Sequence, residues 1–516
     1  MQVKKDNSLI GAVSLVAIFT AISRVLALFR EIELSSLFGA TSVSDAYLLA
    51  QSIPVTFFSV IAVGMATTYI PIFNRVKSER SDEAAELFTN NCANILFLIT
   101  TILICVIELC PQVVLRLFAS GLSDDTMKTA ILFLRISAPS IYFIAYVNLY
   151  SSYLRIKGIF YATTLIGIPF NLCSMILYYL AYRYQIEWLA ISILASNFLQ
   201  FLIIIIYVLR TGHKFKFWCN LRDSYVKHML VLAIPVIIST GFDEINVMID
   251  KNLASSLMVA GGISILHYAS ILTSTCHSFI SMSINTVIFP KISSDIASDD
   301  FSSARSVFHK AIHLIELFVV PIVVWIAFFA GIIITVIFGR GKFSDESVRL
   351  VATCLFFYGI SLPVSGVRNI ILDVYYSKNN TIIPMINGII AVIANITFSL
   401  IFSRFLGICG LAIATSMATI LSTCLLVFSL RRVDFKVPVR DFFGRGFMKI
   451  LLGSLLSAVM VKILYTLICL ITESPYWFIP VAILGILTYF ILMIAFRDEE
   501  MIEIWKKIKK AIRRKS

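Results

Sequence analysis

Charge is scarce in this chain. Only 14% of its 516 residues are Asp, Glu, Lys or Arg, and the 30 acidic residues are outnumbered by 43 basic ones. No polar stretch runs much beyond roughly 20 residues, too short to build a separate soluble core. The ten cysteines contain no Cys-x-x-Cys and most stand inside apolar runs, so neither a disulfide framework nor a zinc site is indicated. Gly339-Arg340-Gly341-Lys342 resembles a piece of a phosphate loop but lacks the flanking strand pattern and the following Ser or Thr. His309, His313 and Glu316 have one-face spacing, with nothing convergent to complete a metal site. With no nucleophile motif, no paired carboxylates in a soluble setting and no nucleotide site, an enzyme is not expected. Any transport would have to draw on an ion gradient, the membrane potential or removal of substrate.

What the chain has instead is apolar sequence: 59% hydrophobic residues and a mean hydropathy of +0.91. A soluble protein cannot hide that much apolar surface, whereas in a bilayer the lipid is the solvent. Apolar runs of about 20 residues recur to the end, so the spanning elements are helices rather than a barrel. The expected class is an all-α polytopic membrane protein. Fourteen spans are predicted, near residues 9–33, 44–74, 86–110, 127–154, 159–182, 187–209, 227–257, 262–289, 307–338, 347–376, 381–403, 407–430, 447–471 and 476–496. The N-terminus, with Lys4 and Lys5 before an apolar run, imitates a signal peptide but reads as the first span, because no cleavage site and polar mature segment follow.

The basic residues test this count. With the N-terminus on the cytoplasmic side, 30 of the 43 Lys and Arg fall on cytoplasmic segments, 7 on external ones and 6 within spans. One span more or fewer would scramble that alternation, so the number of spans is even and both termini are expected in the cytoplasm. The excess positive charge therefore reports topology, and nucleic acid is not an expected partner. Past Arg497 a basic tail places Met501, Trp505, Ile508 and Ile512 on one helical stripe, which reads either as an amphipathic helix on the anionic leaflet or as a merely solubilising tail.

The chain repeats itself. Pro71 and Pro290 close corresponding spans 219 residues apart, as do Ala50 and Ala269 within them, and the external loops LFASGLSDDT and IFGRGKFSDES correspond in turn. Six spans thus recur as six spans in the same orientation. The expected division is residues 1–220 and 221–440 as two six-helix lobes, 441–496 as two additional helices and 497–516 as a cytoplasmic tail. Parallel repeats of this kind are a transporter architecture with the substrate site between the halves.

Charges placed inside spans are costly and mark function by default, each at roughly 2.5–3.5 kcal/mol on insertion scales. Arg24 follows an apolar run of about 15 residues, roughly 22 Å of helix, and so lies past the midplane. It is the prime candidate to line a cavity, with Ser23 beside it. Arg30, Glu31 and Glu33 sit either in such a cavity or at the outer helix end, snorkelling to the interface. Arg30 is expected nearer the outer rim, with Asp45 as its candidate partner. Arginine suits phosphate because its planar donors grip two oxygens at once. In the second half the candidates are acids: Asp243 and Glu244 about mid-membrane, then Asp250 beside Lys251. They read as cation or proton sites or as structural polar contacts.

SRVLALFRE, LFGATSVSDAYLLAQSIP, INVMIDKNLASSL, LHYAS, INTVIFPKIS, VYYSKNNTIIP and GLAIATS together resemble the MurJ (MviN-like) family, in order across the first twelve spans. The resemblance implies the fold of the multidrug/oligosaccharidyl-lipid/polysaccharide exporter superfamily and the flipping of lipid II, the undecaprenyl-pyrophosphate-linked precursor of peptidoglycan, across the bacterial cytoplasmic membrane. Arg24 and Arg30 match the family's cavity arginines, Glu31 stands where an Asp is usual and Asp45 matches its second-span acid. Asp250, with Asn395 and Thr415, matches what could be an ion site; a coupling cation, Na+ or H+, is the sole cofactor class implied. Two family arginines are absent: Phe58 and Ser59 stand after the second-span proline, and Ser270 and Ile271 follow the Tyr-Ala pair. The expected partners are a lipid-linked glycan and the phospholipid bilayer, with cell-wall synthesis proteins as further candidates. Another lipid-linked glycan, a cation-coupled drug exporter and a non-transporting scaffold are the alternatives.

Overall fold

The computed structural model describes residues 2–378, 380–433, 435, 444–472 and 474–513; within its helices, side chains over 2–14, 59–67, 235–240, 242–243 and a few shorter stretches are not described. Every regular element among the described residues is helical. By length and hydropathy nine of these helices can cross a membrane, and α5 (Asp124–Ser137) with α6 (Ser140–Ile156) forms a tenth span bent by 45° at Pro139. Four further helices carry the remaining predicted spans: α1 (Gln2–Phe38), α2 (Ser42–Glu79), α10 (Ser224–Ser256) and α11 (Gly262–Ala297). Together they make the fourteen read from the sequence.

The chain forms two compact units. The first comprises residues 1–264 with 340–343, and the second 265–339 with 344–516. In the first, α2 is the hub. It packs on α3 (Asp82–Leu109), α5, α6 and α10, while α1 runs against α8 (Gly167–Arg183), which pairs with α9 (Glu187–Arg210). The α1–α8 crossing is tight because position 167 is glycine: a Cβ there would stand 2.0 Å from Ser23 Oγ. The short α4 (Pro111–Phe118) and α7 (Ala162–Leu165) fill the turns.

In the second unit α13 (Asp345–Ser377) packs between α12 (Phe301–Ile337) and α15 (Ile408–Ser429), and α15 pairs in turn with α14 (Ile382–Leu406). The two additional helices, α16 (Arg445–Cys469) and α17 (Phe478–Ala495), join α12 through an apolar core that includes Leu317, Phe329, Val461, Phe478 and Tyr489. Gly485 admits that closeness, since a Cβ would lie 2.2 Å from Val461 and 2.7 Å from the Trp325 ring. The basic tail forms α18 (Glu499–Arg513), but its stripe is not simply laid on lipid. Met501 is buried in the α12–α16–α17 core and Ile504 packs against it, while Trp505 stays half exposed. Ile508 and Ile512 lie outside the described side chains. Charge directs this docking: Lys310 on α12 pairs with Glu500 and Glu503 at 3.1 and 3.0 Å, and His313 contacts Asp498 at 2.8 Å.

The repeat is written into helix ends. Ser81 caps α3 through its side chain and Asp300, 219 residues on, caps α12 in the same way. Ser123 and Ser344 start α5 and α13 with matching caps, each hydroxyl accepting from the N–H three residues later, Thr126 at 3.4 Å and Ser347 at 3.2 Å. Gly39 after α1 and Met258 after α10, again 219 apart, both take left-handed backbone, with φ of 68° and 53°.

Candidate functional site

In the first unit a cavity of about 400 Å³ opens among α1, α2, α6, α8 and α9. Its wall carries Arg30, Gln51, Ser52, Asn148, Asn197 and Gln200, with Val55, Ile144, Val147, Phe170 and Ile193 between them. Six polar side chains in one pocket of an apolar unit are not needed for packing. Helix geometry produces the gathering: Asn197 and Gln200 are three apart on α9, and Val147 with Asn148 continues an α6 face begun at Ile144.

Arg30 is the fixed positive charge of this cavity. Its Nη2 donates to Glu31 Oε1 at 2.6 Å, its guanidinium carbon sits 5.4 Å from the Phe170 ring centroid, and its Nε has no hydrogen-bond partner among the described residues. Its side chain is only 12% exposed and that of Glu31 only 2%. Of five guanidinium donors, Glu31 engages a minority. The rest can grip an anion's oxygens, in a place where low dielectric strengthens the attraction. Beneath the pair, Tyr47 and Tyr178 join hydroxyls at 2.6 Å with rings edge-on, a buried polar floor tying α2 to α8.

The structure revises the expected partner of Arg30. Asp45 does not pair with it; Asp45 Oδ1 accepts from the Ser264 N–H at 2.7 Å and from its hydroxyl at 2.6 Å, at the start of α11. A carboxylate at a helix N-terminus satisfies donors that the helix itself leaves open. Arg30 takes its own neighbour Glu31 instead, two long side chains one residue apart folding together. Glu31 therefore does not snorkel; it is buried, at 1% exposure.

The remaining expected residues are distributed as follows. Arg24 is partly buried on α1. Ser23 belongs to the α1–α8 crossing, where its carbonyl accepts from Asn171 Nδ2 at 3.1 Å. Glu244 and Asp250 are partly buried on α10, and the side chain of Asp243 lies outside the described residues. In the second unit Asn395 and Thr415 do meet, Nδ2 donating to Oγ1 at 3.1 Å, and Ser399 donates to Asn395 Oδ1 at 3.4 Å. His313, read as part of an incomplete metal pattern, is engaged by Asp498.

Two groups escaped the sequence reading. One is the neutral lining of the Arg30 cavity, because isolated Asn, Gln and Ser in apolar runs carry no charge signal; the three-residue spacing of Asn197 and Gln200 was the available clue. The other is a clamp on the linker between α9 and α10. Asn90, Asn91 and Asn94 of α3 hold its backbone like the edge of a sheet. Asn90 donates to Lys214 O at 3.0 Å and accepts from Lys216 N at 3.1 Å, and Asn91 donates to Asn220 O at 3.0 Å and accepts from Asn220 N at 2.7 Å. Glu86, one turn earlier, gathers Lys157 at 2.8 Å, the Tyr153 hydroxyl at 2.9 Å, and His213.

A family model described as lipid II flippase MurJ matches residues 34–488. The chain is 29% identical over 486 residues to the lipid II flippase MurJ of Thermosipho africanus, covering 94% of this chain and 96% of that one. It is 26% identical over 478 residues to a probable lipid II flippase MurJ of Rickettsia prowazekii, covering 91% and 93%. Among solved structures, a lipid II flippase MurJ in an inward closed conformation matches with a TM-score of 0.81 at 28% identity, over 94% of this chain and 99% of that one. An inward-facing MATE family transporter of the MOP superfamily matches with a TM-score of 0.70 at 14% identity, over 82% and 98%, a likeness of fold alone.

Proposed function

The chain belongs to the lipid II flippase MurJ family, and on that footing we propose that it is a transporter moving the undecaprenyl-pyrophosphate-linked peptidoglycan precursor across the bacterial inner membrane by alternating access. The observation that carries the chemistry is Arg30: a guanidinium in a polar intramembrane cavity, with a donor unspent. The pyrophosphate is the part of such a substrate that an arginine recognises. The prenyl chain stays in lipid, where its transfer costs nothing. Arg24, one and two-thirds turns earlier on the same helix, extends the cationic path. The two repeats, residues 1–220 and 221–440, act as the lobes that expose this path to one side and then the other, and both termini face the cytoplasm. An inside-negative potential favours export of an anionic head group by about 2.3 kcal/mol per charge per 100 mV. Cell-wall synthesis proteins are the natural partners of such a step, and a monovalent cation its candidate driving ion, with Asp250, Asn395 and Thr415 as one candidate site.

One observation favours a second reading, a flippase for a different lipid-linked glycan: Phe58, which stands where the family resemblance leads one to expect arginine, is buried and apolar. Expression in a bacterium depleted of its own lipid II flippase separates the two. Restored growth with the wild type and none with Arg30→Ala, at equal amounts in the membrane, supports lipid II. Failure of the wild type, with rescue of a strain lacking a capsule or O-antigen flippase, supports the second reading.

A further inference from the structure

The second unit holds a cavity of its own, about 470 Å³, between α11 and α13, lined by His277, Ser281, Asn285, Asn369 and Asp373. None of these residues belongs to the site described above. The imidazole is fully engaged. Ser365 donates its hydroxyl to Leu362 O at 2.8 Å, so at 3.1 Å its oxygen receives the Nδ1 proton of His277, while Nε2 accepts from the Asn369 amide at 3.1 Å. Those bonds define a neutral ring with both nitrogens used. Two oxygens in the same cavity are left over: Asp373 Oδ2 and Asn285 Oδ1 are buried and have no hydrogen-bond partner among the described residues. A carboxylate oxygen buried without donor or counter-charge is costly unless it carries a proton or a cation.

Among the described residues no other charged group pairs with Asp373. Arg368 is five residues before Asp373 on α13, about 140° around the helix. Lys378 at the end of α13 lies 4.4 Å from the Phe301 ring centroid, and on α11 Lys291 pairs with Asp295 at 2.8 Å. On α12, Lys310 and His313 are held by α18, and Glu316 is buried. The α15 sequence has no charged residue, and α14 carries only Arg404, at its far end. No group of three metal-ligating side chains exists among the described residues, and the imidazole lone pair is already spent.

We propose that this cavity is a proton-binding site, with Asp373 as the group that takes up and releases the proton during the transport cycle and the His277 network as its rigid polar wall. Asp373 lies one turn from the end of α13, the end that the distribution of Lys and Arg assigns to the cytoplasm, so a proton can exchange there without crossing the apolar core. The coupling half of the proposal rests on the transporter reading; the proton site itself does not.

The test uses the full chain in proteoliposomes and has two readouts. Infrared difference spectra on a pH step should show a protonated-carboxyl band that disappears in Asp373→Asn and returns, displaced, in Asp373→Glu. Lipid II flipping by the wild type should change with pH and with an imposed proton gradient, and Asp373→Asn should lose that dependence. A band that survives in Asp373→Asn, a band unmoved in Asp373→Glu, or a carboxyl response driven by Na+ at constant pH would overturn the assignment. A wild type that shows the Asp373 band but flips no lipid II would leave the proton site standing and sink the flippase reading instead.

Discussion

Asp45 hydrogen-bonds its own counterpart in the repeat: Ser264, 219 residues later, gives it both its backbone N–H and its hydroxyl, at 2.7 and 2.6 Å. The first turn of α2 and the first turn of α11 are thereby tied by one buried carboxylate. Asp45→Ala strips both donors of their acceptor and should cost about 1.5–3 kcal/mol, the range for a charged hydrogen bond lost at a buried site. Ser264→Ala removes the hydroxyl alone and leaves the backbone bond, so its cost should be less than half of that. Thermal unfolding of the two purified variants in detergent checks the order.

The Arg30–Glu31 pair predicts a dissociation of stability from transport. Arg30→Ala takes a counter-charge from a buried carboxylate, a loss of up to about 3–5 kcal/mol. The double variant Arg30→Ala with Glu31→Ala removes both charges and should recover most of that stability, yet flip no substrate. Arg30→Lys keeps the charge but loses the planar fork, so it should fold well and transport at a fraction of the wild-type rate. Melting temperature measured beside flipping rate distinguishes the three.

The linker clamp predicts a change in protease access. Each of Asn90 and Asn91 holds the linker backbone by two hydrogen bonds, and a bond of this kind is worth about 1 kcal/mol. Asn90→Ala should therefore raise the population of the released linker about tenfold or more. Trypsin cleavage at Lys214 and Lys216 in inside-out vesicles should accelerate by a similar factor, while Asn148→Ala, in a different wall, should leave it unchanged.

Docking of α18 should depend on Asp498 at neutral pH. Burial pushes this carboxyl up, but hydrogen bonds from His313 and from the Met501 N–H outweigh it and hold the group below the ordinary value of 3.8. A lowered carboxyl contributes stability that is fully present above its unfolded value and lost only as pH falls through the folded one. From neutral pH down to about 4 the helix should thus stay docked on this account, and Asp498→Asn should loosen it throughout. Amide exchange over α18 reports both.

Much of the fold was legible because the membrane enforces it. Hydropathy marked the spans, so the fourteen fall where expected. The repeat announced itself in Pro71 and Pro290 and returns in caps such as Ser81 and Asp300. Pairings were another matter. Asp45 looked like the counter-ion of Arg30 because both carry charge near one end of adjacent spans, but its donors come from Ser264, and nothing local in the sequence points that far. Gln51, Asn148, Asn197 and Gln200 were invisible singly; a cavity made of neutral amides has no charge to betray it until helices bring them together. Met501 shows the converse: its amphipathic stripe was read correctly as apolar, but a periodicity does not say whether lipid or protein covers it.

Lipid II translocation can be read directly from the purified chain. In proteoliposomes loaded with labelled lipid II, the wild type should bring the inner-leaflet label within reach of an external probe, and the Arg30→Ala, Glu31→Ala pair variant, folded and inserted, should not. Equal exposure of the label by both proteins, or none by the wild type, would contradict the Arg30 flippase reading.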